Sequence, residues 1–114
     1  HGVAMSIFLP YAFEYNLEKS EPEVARLLFP LGGAEEVAKT PAGHRARRTI
    51  EVIRSLRQTL FELCGLPRTL KEAGVAKDKL EAIAQTAVND GSLTFNPVEV
   101  DYNDALLLLK EAYE

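Results

Sequence analysis

Few residues in this chain have the chemistry to form a site. His1 opens the sequence, followed by Gly2-Val3 and an apolar run. A neutral imidazole can bind a metal while leaving positions open for substrate, and a glycine beside it lets backbone approach closely. On its own a histidine at a chain end is a solvated terminus, because metal ligands come in sets. His44 is the second candidate, set among Arg45, Arg47 and Arg48. Its helix angle puts it on a polar face with Glu51 and Gln58, which is solvated surface. The basic cluster lacks interleaved aromatics, and Glu51 follows Arg47 by one turn. That is the pattern of a salt-bridged helix face rather than of a nucleic-acid contact. Cys64, the single cysteine, falls on an apolar helix face and reads as a buried structural thiol. Glu14, Tyr11, Tyr15 and Asn16 could line a pocket near Pro10, or simply pack and cap. Gly32-Gly33 has no preceding strand and no Gly-x-Gly-x-x-Gly spacing, so it reads as a turn and not a phosphate cradle.

These residues must be carried by one small domain. A chain of 114 residues can bury roughly two thirds of the surface its unfolded form exposes. Its formal charge of −4, with 26% charged and 46% hydrophobic residues, gives no general attraction to nucleic acid or to an anionic membrane. One cysteine excludes an internal disulfide framework and suits a reducing, cytoplasmic setting. The apolar stretch Gly2 to Phe13 is interrupted by Pro10 and falls short of the roughly 20 residues of a membrane span. No basic leader precedes it. Opening without Met or a polar cap, the chain reads as a cut through a larger sequence.

The positioning elements read as helices throughout. Val3 to Tyr15 is almost wholly apolar, as in a helix buried on every side, with a kink expected at Pro10. Ser20-Glu21-Pro22-Glu23 resembles a capping-box start, with Val24, Leu27 and Leu28 facing inward. Thr40-Pro41 reads as the N-cap and first residue of the longest helix. Its expected core face is Ala42, Ala46, Ile50, Ile53, Leu56, Leu60 and Cys64, and Arg47, Glu51, Arg54, Gln58 and Glu62 are expected on the other; Gly65 closes it. Pro67 and Gly74 bracket a short turn around Leu70. Leu80, Ile83, Ala84, Ala87 and Val88 form the next apolar stripe, and residues 91 to 100 an extended connector. Asp101 caps a last helix that buries Ala105, Leu108, Leu109 and Ala112 and leaves Leu107 outside. The fold class is therefore all-α, a bundle of about five helices in a single domain over residues 1–114, with antiparallel neighbours joined by short connections.

The motifs, taken in order, resemble one family. His1-Gly2-Val3-Ala4-Met5-Ser6-Ile7-Phe8-Leu9-Pro10, running on to Glu14-Tyr15-Asn16, is similar to the segment of iron-containing (group III) alcohol dehydrogenases in which His-Gly opens a buried helix. Gly65-Leu66-Pro67 with Leu70 and Gly74-Val75 resembles that family's helix-to-helix joint. Asn89-Asp90, Asn96-Pro97 and Asp104 resemble its closing pattern. The sequence departs from it at Val98, where the family often carries a basic residue. Glycerol dehydrogenases and maleylacetate reductases share the His-Gly helix, and the Asn96-Pro97 ending favours the alcohol dehydrogenase branch.

The resemblance implies the C-terminal helical domain of a two-domain, dehydroquinate-synthase-like fold whose nucleotide-binding domain is not in this sequence. It implies hydride transfer between NAD or NADP and a small alcohol or aldehyde, with a divalent metal, iron first and zinc second, polarising the substrate oxygen. His1 matches the family's last metal-binding histidine; the other ligands match nothing here. A homo-oligomer joined through the first helix is expected, with Ile7 and Phe8 in the contact. The residues alone also admit a free-standing helical interaction domain without catalysis, docking through Leu107 and the first helix. The dehydrogenase reading predicts that the isolated chain, with one metal ligand and no Gly-rich phosphate loop, oxidises no alcohol. NAD(P)-dependent turnover by the purified 114-residue chain, above that of a mock purification, would contradict it.

Overall fold

The computed structural model describes residues 1–114, which form six α-helices and three short 3-10 turns with no strand. The all-α expectation holds, but several boundaries move. The two helices expected at the N-terminus are both present, joined end to end as α1 (Gly2–Arg26) across a kink at Ser20, where the second was expected to start. Helix α1 keeps helical dihedrals through Pro10 and breaks only at Ser20, where φ is −125° and ψ is 16°. Pro10 is buried and deprives the helix of one N–H donor. In the disturbed turn Arg57 donates from Nη1 to the carbonyl oxygen of Ile7 at 2.9 Å. The stretch after α1 folds into two short helices, α2 (Leu28–Gly32) and α3 (Ala34–Lys39), which the sequence pattern does not reveal. They turn on Gly33 at φ +88°, a conformation glycine adopts without strain.

Thr40 does not cap the long helix. It is buried, and its Oγ1 donates back to the Glu36 carbonyl at 2.7 Å, closing α3 instead. A 3-10 turn over Ala42–His44 intervenes before α4 (Arg45–Cys64) begins. Gly65 ends α4 as expected, at φ +72° with its N–H on the Phe61 carbonyl at 2.8 Å. The buried face of α4 is Ala46, Thr49, Ile50 and Ile53, and it stops there. Leu56 is 50% exposed, Leu60 is half-buried and Cys64 is exposed. The expected stripe thus fails in its second half, and Cys64 is not a buried thiol. The reason is register: α4 turns Arg54 and Arg57 toward α1, on Glu14 and the Ile7 carbonyl, which leaves Leu56 and Cys64 off the packed face.

After α4 the chain turns through a polar joint. Arg68 bonds Glu72 and Gln58 and lies over the Phe61 ring, 3.6 Å from its centre. Its hydrogen bonds pull the Glu72 carboxyl down to about 2. Leu70 is buried, and its N–H reaches the Ala112 carbonyl at 2.9 Å, pinning the joint to the chain's other end. Helix α5 (Leu80–Val88) matches its expected bounds. The connector contains a 3-10 turn over Gly91–Phe95 before it extends. Helix α6 (Tyr102–Glu111) starts from a reciprocal capping box between Asp101 and Asp104. It buries Ala105 and Leu109, with Ala112 just beyond its end, and leaves Leu107 57% exposed.

Two cores result. One gathers Ile7, Leu70, Leu80, Ala84, Ala105, Leu109 and Ala112; the other gathers Val24, Ala46 and Ile50, with Phe13 and Leu17 packed against it. The extents of 44 × 34 × 19 Å and the radius of gyration of 15.1 Å describe a flatter body than the roughly 13 Å of a compact domain this size. The first helix is not buried on every side: Val3, Met5 and Leu9 are 40%, 56% and 38% exposed. Ile7 is buried within its own chain and Phe8 packs on the same core. Ile7 is therefore closed to a second copy, while Phe8 is only half-buried. No helix is long and apolar enough to cross a membrane. Removing the Ile7 side chain leaves a cavity, so Ile7→Ala costs about 2–5 kcal/mol in denaturant unfolding, whereas Leu56→Ala changes stability by less than about 1 kcal/mol. Equal losses would mean that the register of α4 is wrong.

Candidate functional site

Helix α1 carries Tyr11, Glu14, Tyr15 and Asn16. His1 is its N-cap: the carbonyl accepts the Met5 N–H at 3.0 Å, while the side chain is exposed and makes no capping bond. The chain contains no group of three or more His, Cys, Asp or Glu residues that could hold a metal ion. His1 is thus a single available imidazole, and the residues present do not complete a metal site. His44 is exposed at the end of the 3-10 turn, as its polar setting suggests. The arginines beside it serve the fold. Arg45 donates to the Thr40 carbonyl at 3.1 Å, and Arg48 binds Glu36 and, at 2.8 Å, Glu51. The Arg48 hydrogen bond is the main cause holding the Glu36 carboxyl below its ordinary value.

The four residues grouped around Pro10 in the sequence separate into two sets. Tyr11 and Glu14 turn toward α4. The Tyr11 ring has the Arg54 and Arg57 guanidiniums 5.5 and 5.8 Å from its centre, and Glu14 pairs with Arg54 at 2.8 Å. These contacts fasten α1 to α4. Tyr15 and Asn16 turn the other way, toward the connector and α6.

There the side chains form a clamp. Asn16 Nδ2 donates to Asn96 Oδ1 at 2.9 Å, and Asn96 Nδ2 donates back to Asn16 Oδ1 at 2.7 Å. Asn96 Nδ2 also reaches the Val98 carbonyl at 2.6 Å, and the Tyr15 hydroxyl donates to the Glu99 carbonyl. Burial first, and then the carboxylates of Asp104, Asp101 and Glu18, push the Tyr15 phenol above its ordinary value. It therefore remains a donor at neutral pH. The amide pairing joins residues eighty positions apart; both asparagines were legible as motif residues, but nothing local signals that they meet.

The clamp sits beside a cavity of about 280 Å³. Phe8, Ala12, Tyr15 and Asn16 of α1 form one wall, Ile83 and Ala87 of α5 another, and Leu93, Asn96 and Val100 of the connector a third; Ala105, Leu108 and Leu109 of α6 close it. At about 100° per residue, His1, Phe8, Ala12 and Tyr15 fall within an arc of about 60° on α1. One face of one helix therefore carries the free imidazole at its head and the apolar cavity farther along.

Fold and site together define a helical domain with one exposed imidazole at the head of α1, an apolar cavity beside that helix, and no complete metal site of its own. Residues 1–113 match the model of the Fe-containing alcohol dehydrogenase family, C-terminal, and the chain belongs to that family. Alcohol dehydrogenase 4 of Saccharomyces cerevisiae is 28% identical over 116 residues, covering 100% of this chain and 27% of the yeast protein. An alcohol dehydrogenase of Thermococcus barophilus is 30% identical over 115 residues, covering 99% of this chain and 27% of that protein. Lactaldehyde reductase of Escherichia coli K12 is 27% identical over 113 residues, covering 99% of this chain and 28% of the reductase. The chain thus spans less than a third of the length of these relatives. The family resemblance seen in the motifs holds over residues 1–113.

The clamp generates a test. Asn96→Ala removes both amide bonds and the contact to Val98, for a loss of about 1–3 kcal/mol. Asn16→Ala in the same background should then cost little, giving a coupling of at least about 0.5 kcal/mol in a double-mutant cycle by denaturant unfolding. Strict additivity would show that the two side chains act separately.

Proposed function

We propose that this chain is the C-terminal helical part of a metal- and NAD(P)-dependent alcohol dehydrogenase acting on small alcohols and aldehydes. In this reading His1 supplies one metal ligand and α1 one wall of the substrate cleft. The observation that supports it most is the pairing of a family match over residues 1–113 with an exposed, unbonded imidazole at the head of α1. A ligand shared with another domain has to be accessible from the start of its helix. The remaining ligands and the dinucleotide site belong to the longer protein that the relatives' lengths imply.

Iron is the first choice of metal and zinc the second. An imidazole serves either, and the family whose model the chain matches is described as Fe-containing. The chain's own residues contribute position: the rod of α1, fixed to α4 by Arg54 and Arg57 and to the connector by Asn16, sets where the imidazole stands. A cytoplasmic setting fits a free, exposed Cys64. Copies of the whole protein would meet through the first helix at Val3, Met5 and Leu9, its exposed apolar residues.

The test is His1→Ala in the whole protein. Metal content by elemental analysis should fall to a small fraction of the unmodified level, and kcat/KM for a primary alcohol by at least about 100-fold. Circular dichroism should not change, because the side chain is exposed. Full metal content in the variant would remove His1 from the ligand set.

A further inference from the structure

The cavity beside the Asn16–Asn96 clamp has no part in the metal reading, yet its chemistry is specific. Of its twelve lining residues ten are hydrophobic, so whatever enters is held by burial and not by hydrogen bonds. The two asparagine amides and the Tyr15 hydroxyl on its wall are already engaged within the chain. Asn96 Nδ2 serves Asn16 and Val98, the Asn16 amide serves Asn96, and the Tyr15 hydroxyl serves the Glu99 carbonyl. A polyhydroxylated ligand would leave its hydroxyls unpaired there, which is unfavourable. An alkyl chain or an aromatic ring would lose nothing.

The size agrees with this. An engineered apolar cavity of about 150 Å³ stays dry and binds benzene, and this one measures about 280 Å³. The space comes from small side chains, Ala12, Ala87 and Ala105, on three converging helices. The cavity is open on one side, where Ala12 and Ile83 are exposed, so an occupant gains burial of its apolar part. Phe8, the lining residue nearest His1 in sequence, stands about 10 Å along the helix axis from it, on the same face.

We propose that this cavity binds the apolar tail of a medium-chain or aryl alcohol, of about six to eight carbons, which makes the substrate class apolar rather than polyhydroxylated. The orientation, with the hydroxyl end toward His1, rests on the dehydrogenase reading; occupation of the cavity does not. Ala12 is then a specificity-determining position, because a larger side chain there fills the site without touching the imidazole.

The decisive experiment is a methyl NMR titration of the 114-residue chain with 1-butanol, 1-hexanol and 1,2-propanediol. Saturable shifts are expected at the Ala12, Leu93 and Leu108 methyls, with affinity rising about fourfold for each added methylene. The diol should give none. Ala12→Phe should abolish the hexanol shifts while its spectrum stays folded. If that variant does not fold, Ala87→Leu fills the same space from α5 and carries the same expectation. No saturable shift with any monoalcohol, equal binding of the diol, or hexanol shifts that persist in a folded cavity-filled variant would overturn the proposal. The dehydrogenase reading fails differently, through a whole protein that turns over no alcohol with NAD or NADP while hexanol still binds this chain.

Discussion

Between Ile7 and Leu17 a single unbroken stretch of helix has to satisfy two separate cores. Ile7 lies in the core built from the joint, α5 and α6, with Phe8 and Tyr11 packed against it, while Phe13 and Leu17 pack on the core formed by Val24, Ala46 and Ile50. No other continuous segment contributes to both. The break at Ser20 comes after this stretch, so the rod is intact where it bridges. In a body this flat, each core alone buries too little apolar surface to offset the chain entropy of ordering it. Their union through α1 predicts that the domain unfolds as one unit.

That constraint also bears on the proposed role of His1. A side chain at the head of a helix needs a fixed origin to act as a ligand, and residues at a chain end are poorly ordered unless tied down. Here α1 is tied on both flanks. Arg54 and Arg57 hold Glu14, Tyr11 and the Ile7 carbonyl from the side of α4. Asn96 and Glu99 hold Asn16 and Tyr15 from the side of the connector. The position of His1 at the head of the rod is thus set by contacts some ten residues away. The same contacts fix the wall of the cavity, so imidazole and cavity form one rigid frame.

Features decided within a few residues were readable in the sequence. The Asp101–Asp104 capping box, the Gly65 stop and the bounds of α5 all follow from local backbone demands, and each is where those demands put it. The family, too, was legible, because it rests on the order of many short motifs rather than on any one. What escaped was set by partners far along the chain. Leu56 and Cys64 have the periodicity of a core face, but α4 turns Arg54 and Arg57 toward α1 instead, on Glu14 and the Ile7 carbonyl. Thr40 next to Pro41 has the form of a cap, yet its hydroxyl finds the Glu36 carbonyl behind it. Pro10 promised a kink; the helix runs through it, and Arg57, fifty residues away, bonds the carbonyl of Ile7 in that turn. Short helices such as α2 and α3, crowded by Pro30 and Gly32-Gly33, have no room to show a period.

The bridging role of α1 can be read directly by native-state hydrogen exchange on the Ile50→Ala variant. Ile50 belongs only to the second core, whereas α6 packs only in the first. If α1 makes the two cores one unit, the most protected amides of α6 should lose protection by the same free energy as those of α4. Amides of α6 that keep their original protection while those of α4 lose theirs would show two cores that open independently, with α1 as a mere connection between them.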